Sequence, residues 1–582
     1  MHDPSQAEPK IASARSSVFW TWLGPLVVFA LSCVVFEASA EIIKLPPAWR
    51  TFEFCQYAEI GRNLARDGAY DTRVMEPMAL AMIDRDLVGP TRPGHWPVVN
   101  RYPLPCFVIA GLMRVFGASD YVAAWSNGLA VSLLAALLYV AARMWLGPRW
   151  AILVAFFWLV NPSFYAEFIL LGTPDVWFAA LFFAEVLVWS RFDPVEVRAD
   201  FGRFRWRWAL GVGVLGGLAY LARFNASVFL AIQVFILGVW WRRWREAGVM
   251  IAAILAVASP SLFDTWRHFG RPTVSLYSAW NLLDGIGAYR VEPWLYYKVP
   301  NVRQEVAAHA SGVARKVEAN LKLLGGPNGV WIFWRLDVLI PLALVGLWLG
   351  GDRGSRFRRA SGLALGLFLL QLLLFSGLRL EVGSRDAAHN ARYFFWFAPF
   401  AVLLGVATLR RLARFGRRWG RGLVFGAVGF QLFVMAWGWV AIARFHLSGD
   451  TNLGQDPVRR MLMEVVRPEQ VIASTHPQIT AWFCGLWSIS LPADPDEVAR
   501  LNRESPTPAD YLLVDVNFNS IDLDPRWRLL AEGKGRRISS WEFRLLADYR
   551  YVLPPEQTRP IGYVLLRRAS VAPSEFERRL RP

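Results

Sequence analysis

The strongest constraint on this chain is an alternation: apolar runs of bilayer length are separated by short breaks, and every second break is rich in arginine. A helix needs about 20 apolar residues to cross a bilayer. Residues 18–35, 121–144, 150–168, 176–189, 208–222, 226–240, 248–263, 331–349, 363–378, 393–409 and 423–443 meet or approach that length, which predicts about eleven spans. The basic breaks hold Arg143 and Arg149, then Arg191 to Arg207, then Arg242, Arg243 and Arg245, then Arg353 to Arg359, then Arg410 to Arg421. Arginine clusters recurring in alternate loops mark the cytoplasmic side. The net charge of +17 is therefore a topology signal and not a nucleic-acid surface.

The expected architecture is a mostly α polytopic helical bundle with long outer loops and a small C-terminal α/β soluble domain. Residues 1–15 form a cytoplasmic tail and residues 16–445 the membrane domain. The first span is read as a retained anchor with its N-terminus inside. An outer loop, 38–104, follows it, and a second long outer loop covers 264–330. Residues 102–116 are apolar but short and begin with prolines, which suits a helix lying at the membrane interface. Asn161-Pro162 is expected to break the third span, because proline disfavours helix at the residue before it. The runs 208–222 and 226–240 require a hairpin with Arg223 at its outer tip. Residues 456–582 alternate strand and helix patterns and form an outer-face domain. A helix is expected over 458–466, with strands at 470–474, 488–492, 511–516 and 561–567. A further helix at 494–504 has Pro495 just inside its start. This tail has no nucleophile elbow, phosphate loop or metal cluster, so a stabilising or acceptor-contacting role is expected of it. Cys33, Cys55, Cys106 and Cys484 have no metal spacing. Cys55 and Cys106 share a location, which is no argument for a disulfide.

Polar residues then collect at one face. Glu53 and Glu59 follow the first span, Arg101 closes the first loop, and Asp175 follows Gly172-Thr173-Pro174. Arg379, Glu381, Arg385, Asp386, His389, Arg392 and Tyr393 lie in a third outer loop. Charges at a membrane boundary are costly unless they pair or serve a site. Each has a plainer reading as well. Glu59 could cap or pair with Arg62 or Arg66. Asp175 could be a first-turn acid favoured by the helix dipole. Arg223 could reach along the interface. His268 and His389 are single histidines, more often structural than ligands.

At this point the chain resembles the C-type glycosyltransferases, which use polyprenyl-phosphate sugars. Their members include protein mannosyltransferases, lipid A aminoarabinose transferases and bacterial core-galacturonic-acid transferases. The resemblance rests on Tyr57-Ala58-Glu59-Ile60-Gly61-Arg62-Asn63-Leu64 after the first span, and on Tyr102-Pro103-Leu104-Pro105 with Phe116-Gly117. It continues through Asp175, Leu221-Ala222-Arg223, Arg392-Tyr393 and Ala509-Asp510-Tyr511-Leu512-Leu513-Val514. It departs where Glu53-Phe54 stands in place of an aspartate often followed by glutamate, and where Arg101-Tyr102 replaces a lysine before the prolines.

The resemblance implies inverting transfer of a sugar from a polyprenyl-phosphate donor to an envelope lipid, glycan or protein acceptor. The site would face the periplasm of a bacterial inner membrane. It implies Glu53 and Asp175 as catalytic carboxylates, with Tyr57, Glu59, Arg62, Arg101, Tyr102, Arg223, Arg392 and Tyr393 binding substrate. A divalent metal fits this chemistry but is not demanded by it. Membrane lipid is an expected partner and nucleic acid is not. The rival reading is a non-catalytic membrane carrier or a handler of lipid-linked polysaccharide. Carriers place ionisable residues near the midplane, whereas these gather at one face.

Overall fold

A computed structural model of the protein describes residues 10–43, 52–99, 101–167, 174–190, 205–273, 282–287, 289, 292–325, 334–348, 356–376, 392–414, 419–446, 456–515, 524–527, 543–551 and 561–572. Each apolar run named above contains a helix among its described residues. In chain order, the membrane part contains α1 (Lys10–Ile43), then the loop helices α2 (Phe52–Asp67), α3 (Pro77–Asp86) and α4 (Pro103–Phe116). It continues with α5 (Asp120–Leu146), α6 (Pro148–Leu159), α7 (Asp175–Trp189), α8 (Trp206–Ala222), α9 (Ala226–Phe235) and α10 (Trp244–Phe269). After α11 (Val302–Ala308) and α12 (Ala310–Gly325) come α13 (Leu339–Trp348), α14 (Arg356–Phe375), α15 (Ala398–Leu412) and α16 (Trp419–His446). Among the described residues, 6 helices are long and apolar enough to cross a membrane.

Local chemistry sets the joints. Ser119 caps α5 by accepting the Val122 N–H, and Gly147, at φ 87°, ends α5 just before Pro148 opens α6. That left-handed backbone is where glycine carries no Cβ penalty. α6 stops before Asn161-Pro162, and a single π-helical turn, Ser163–Glu167, follows. The Asn161 side chain stays buried by donating to the Trp334 carbonyl at 2.9 Å. α8 lies close against α10: a Cβ on Gly213 would stand 2.6 Å from the Met250 carbonyl oxygen, and one on Gly217 2.8 Å from Val257. Small residues four apart allow such backbone approach between membrane helices. α10 continues through Asp264 to Phe269 and ends at Gly270, so the second loop opens with the last turns of this helix.

The basic breaks meet at one end of the bundle. Arg410 donates to the Trp145 carbonyl at the end of α5, and Arg411 to the Gly346 carbonyl near the end of α13, each at 3.3 Å. The first loop and the tail meet at a different place. The tail comprises α17 (Asp456–Val465), β4 (Val471–Ser474), α18 (Pro477–Cys484), β5 (Trp487–Ser490), α19 (Pro495–Glu504), β6 (Tyr511–Asp515), β7 (Phe543–Tyr551) and β8 (Ile561–Arg568). The loop supplies three short strands, β1 (Asp71–Thr72), β2 (Val74–Met75) and β3 (Trp96–Pro97). β1 pairs antiparallel with β3, while β2 joins the tail as the edge of a six-stranded sheet of order β2-β5-β4-β6-β8-β7. β2, β5, β4 and β6 are parallel, with Val74 opposite Ser488, and β8 and β7 run antiparallel. One core spans the junction. Met78, Leu80, Met82 and Ile83 of α3 pack with Val471, Ile489, Leu501 and Leu512 of the tail. Burying each such side chain contributes about 1.5–3 kcal/mol. Cys55 and Cys106 are both buried.

Candidate active site

Three helix ends and one inter-helix turn bring the site together. α2 begins with Glu53 in its first turn and α7 begins with Asp175, each where the positive end of a helix dipole favours an acid. α8 ends at Ala222, and Arg223 follows in extended conformation before the turn into α9. α7 and α8 are packed neighbours, so the start of one meets the end of the other. Arg223 and Asp175 form an ion pair there, with side chains 8% and 2% exposed. Arg392 and Tyr393 precede the short 3-10 turn that leads into α15.

The Arg392 guanidinium holds Glu53 with both terminal nitrogens, Nη1 to Oε2 at 2.7 Å and Nη2 to Oε1 at 3.4 Å. Arg392 Nη2 also donates to the Tyr393 hydroxyl at 3.2 Å. The Tyr393 ring then links the two ion pairs, because its centroid lies 4.9 Å from the Arg392 Cζ and 4.8 Å from the Arg223 Cζ. Cations within about 6 Å of an aromatic centroid are attracted to the ring. Gln371 fixes the tyrosine by donating to its carbonyl at 2.8 Å. The result is a continuous chain, Glu53–Arg392–Tyr393–Arg223–Asp175. Tyr102 stands beside it: Arg223, Glu53, Tyr393 and Arg101 all act on its phenol electrostatically, and Phe224 meets its ring edge-on at 5.0 Å. Arg101 is buried, 3.7 Å from Glu76, with its Cζ 5.8 Å from the Tyr57 ring centroid. Glu53 and Asp175 differ in access, at 36% and 2% side-chain exposure.

The structure places two expected site residues elsewhere. Glu59 is fully buried and accepts from Asn63 Nδ2 at 2.6 Å, Thr72 Oγ1 at 2.9 Å and the Arg73 N–H at 3.1 Å. Burial raises its carboxyl pKa, against the Arg62 charge and these hydrogen bonds. Arg62 is turned to the tail. It donates to the Trp482 carbonyl at 2.7 Å and the Ala481 carbonyl at 3.3 Å, and lies 4.5 Å over the Trp482 ring. Arg379, Glu381, Arg385, Asp386 and His389, with Gly172 and Thr173, lie outside the described residues. Among the described residues no group of three His, Cys, Asp or Glu is gathered as a metal site. The sequence reading missed Arg73, which donates to the Gly485 carbonyl, and Trp482, whose Nε1 donates to Asp120 at 2.5 Å. No local pattern marks either one, because their partners are more than about 350 residues away in sequence.

Comparison with known proteins bears on this arrangement. Residues 97–264 match the sequence profile of the dolichyl-phosphate-mannose-protein mannosyltransferases. The structure is similar to the crystal structure of ArnT from Cupriavidus metallidurans bound to undecaprenyl phosphate, with TM-score 0.54, 14% identity, and coverage of 93% of this chain and 98% of that one. The chain shares its fold with this ArnT. The apo form of the same ArnT gives TM-score 0.49 at 14% identity, covering 96% of this chain and 99% of that one. The Archaeoglobus fulgidus oligosaccharyltransferase, solved with Zn and sulfate, gives 0.49 at 12% identity, covering 92% and 72%. No curated protein matches the sequence. In this shared fold the carboxylate–arginine chain sits at the end of the bundle where the first loop is seated.

Proposed function

We propose that this membrane glycosyltransferase moves a sugar from a polyprenyl-phosphate donor to an envelope lipid, glycan or protein acceptor. The transfer takes place at the periplasmic face of a bacterial inner membrane. The observation that carries the reading is the Glu53–Arg392–Tyr393–Arg223–Asp175 chain at the loop-bearing end of a C-type bundle. Undecaprenyl phosphate bound to the similarly folded ArnT supports the donor class, and the arginine clusters in alternate breaks support the orientation.

Glu53 is the base in this mechanism. It is the more accessible acid, and its two bonds to Arg392 aim it. As the acceptor oxygen bonds to the anomeric carbon from the face opposite the phosphate, its proton passes to Glu53. The bond from that carbon to the phosphate oxygen breaks, its electron pair stays with the lipid phosphate, and the configuration inverts. Arg101 and Arg223, at either side of Tyr102, meet the charge that develops on the leaving phosphate. Asp175 positions Arg223 and stays buried.

The test is turnover by the full chain in proteoliposomes, with undecaprenyl-phosphate-linked sugars and an envelope lipid extract. A placed base contributes about 10²–10⁴-fold. Glu53→Gln should therefore lower kcat by about a hundredfold or more with donor binding retained. Glu53→Asp, which keeps the charge but withdraws it by one methylene, should fall between. Undiminished turnover in both Glu53→Gln and Asp175→Asn would end the carboxylate mechanism.

A further inference from the structure

A cavity of about 470 Å³ opens between the first loop and the last turns of α10. Its wall is mixed in charge, with Asp71 and Arg92 on the loop and Asp264 and Arg267 on α10. Apolar rings and prolines complete it, including Trp96 and a stacked pair, Tyr70 and Phe107, whose centroids lie 5.8 Å apart. A second, small cavity of about 20 Å³ shares the lining residues Tyr70, Pro103 and Ser261 with it and is also lined by Arg101 and Phe224, the flank of the carboxylate–arginine chain.

Three features define what such a space accepts. A bare phosphate is disfavoured, because Asp71 and Asp264 would face it at close range and like charges repel strongly where water is scarce. A purely apolar tail is disfavoured too, since it would strip water from both carboxylates without replacing their hydrogen bonds. Asp71 is already short of donors. Its Oδ1 accepts from Asn63 at 3.2 Å, whereas its buried Oδ2 accepts no hydrogen bond among the described residues, and its nearest cation, Arg92, stands at 3.8 Å. The histidine beside it cannot fill the gap. His95 Nε2 accepts from Arg73 Nε at 3.0 Å, so its proton is on Nδ1, 3.1 Å from the Pro93 carbonyl. A ligand hydroxyl is the donor that Oδ2 lacks.

We infer that this cavity is a saccharide subsite, in which Asp71 and Asp264 accept hydroxyls from a pyranose ring seated against Trp96 and Tyr70. The inference deepens the transferase reading and rests on it: the shared lining at Tyr70 and Ser261 places the ring next to the reacting centre. The ring could belong to the donor or to the acceptor, and the experiment separates the two.

Full-length protein in a sugar-free amine-oxide detergent is titrated with methyl mannoside, methyl galactoside, methyl glucoside and glucosamine, with binding read by saturation-transfer NMR. At least one probe should bind saturably. Asp71→Asn and Trp96→Ala should each weaken it roughly tenfold or more, the order expected for losing a hydrogen bond to a charged group or a ring contact. Ser261→Trp, which fills the cavity from α10 without touching Asp71, should abolish binding. Glu53→Gln should leave it unchanged, so loss of turnover and loss of sugar binding report on different proposals. Displacement of the probe by an undecaprenyl-phosphate-linked sugar but not by undecaprenyl phosphate assigns the subsite to the donor ring. Displacement by neither assigns it to the acceptor. Displacement by undecaprenyl phosphate alone, absence of saturable binding, or binding indifferent to Ser261→Trp overturns the inference.

Discussion

Glu53 and Glu59 both project from helix α2, six residues apart, and their surroundings set their tasks. Glu59 is enclosed by three donors from Asn63, Thr72 and the Arg73 backbone. Replacing it with alanine would orphan these buried donors, at about 1–3 kcal/mol each. Glu53 pairs with Arg392 and keeps 36% of its side chain exposed. Glu59→Ala should therefore lower the melting temperature by many degrees, or yield no folded protein. Glu53→Gln should melt within a few degrees of the parent while losing turnover. Equal melting temperatures for both variants would put Glu59 outside the structural role assigned to it. Part of this contrast is legible in the chain. The first-turn position of Asp175 follows from its helix start, and Arg223 from two apolar runs that together are too long for one span. The pairings are not legible, since Arg392 reaches Glu53 across 339 residues and no spacing rule links them.

At the scale of elements, α2 is held by more than the membrane bundle. Arg62 binds the last carbonyls of α18, groups that a helix end leaves without intrahelical donors, and covers Trp482, which is tied in turn to Asp120 at the start of α5. The tail thus grips the helix that carries Glu53. Arg62 acts as a positioning residue, and small displacements of a reacting group can cost about a hundredfold. Arg62→Ala and Trp482→Ala should lower kcat about tenfold or more with little change in KM. Arg62→Lys should recover only part, because lysine keeps the charge but lacks the planar fork. A rise in KM alone would return Arg62 to the substrate. Apolar length revealed the bundle helices, and strand–helix alternation revealed β4, β5, β6 and β8. It could not reveal β2, because two residues carry no periodicity and their partner strand lies more than about 400 positions later.

The whole molecule has an internal check on its topology. β2 of the first loop pairs with β5 of the tail, and α3 shares its core with the tail, so these regions lie on one side of the membrane whatever the orientation of the bundle. In the proposed orientation that side is the periplasm. The Arg410 and Trp145 contact joins two of the basic breaks at a common end, which that orientation makes cytoplasmic. Single cysteines test both statements in a background where Cys33, Cys55, Cys106 and Cys484 are serine. Exposed positions are available at Arg85 in the loop, Arg503 in the tail and Arg149 at the start of α6. In intact cells with a permeabilised outer membrane, a membrane-impermeant maleimide should label the cysteines at 85 and 503 and spare the one at 149. All three should label once the inner membrane is opened. Labelling at 149 with protection at both other sites would invert the orientation and move the site to the cytoplasm. Different behaviour at 85 and 503 would break the β2–β5 pairing itself, and with it the grip of the tail on α2.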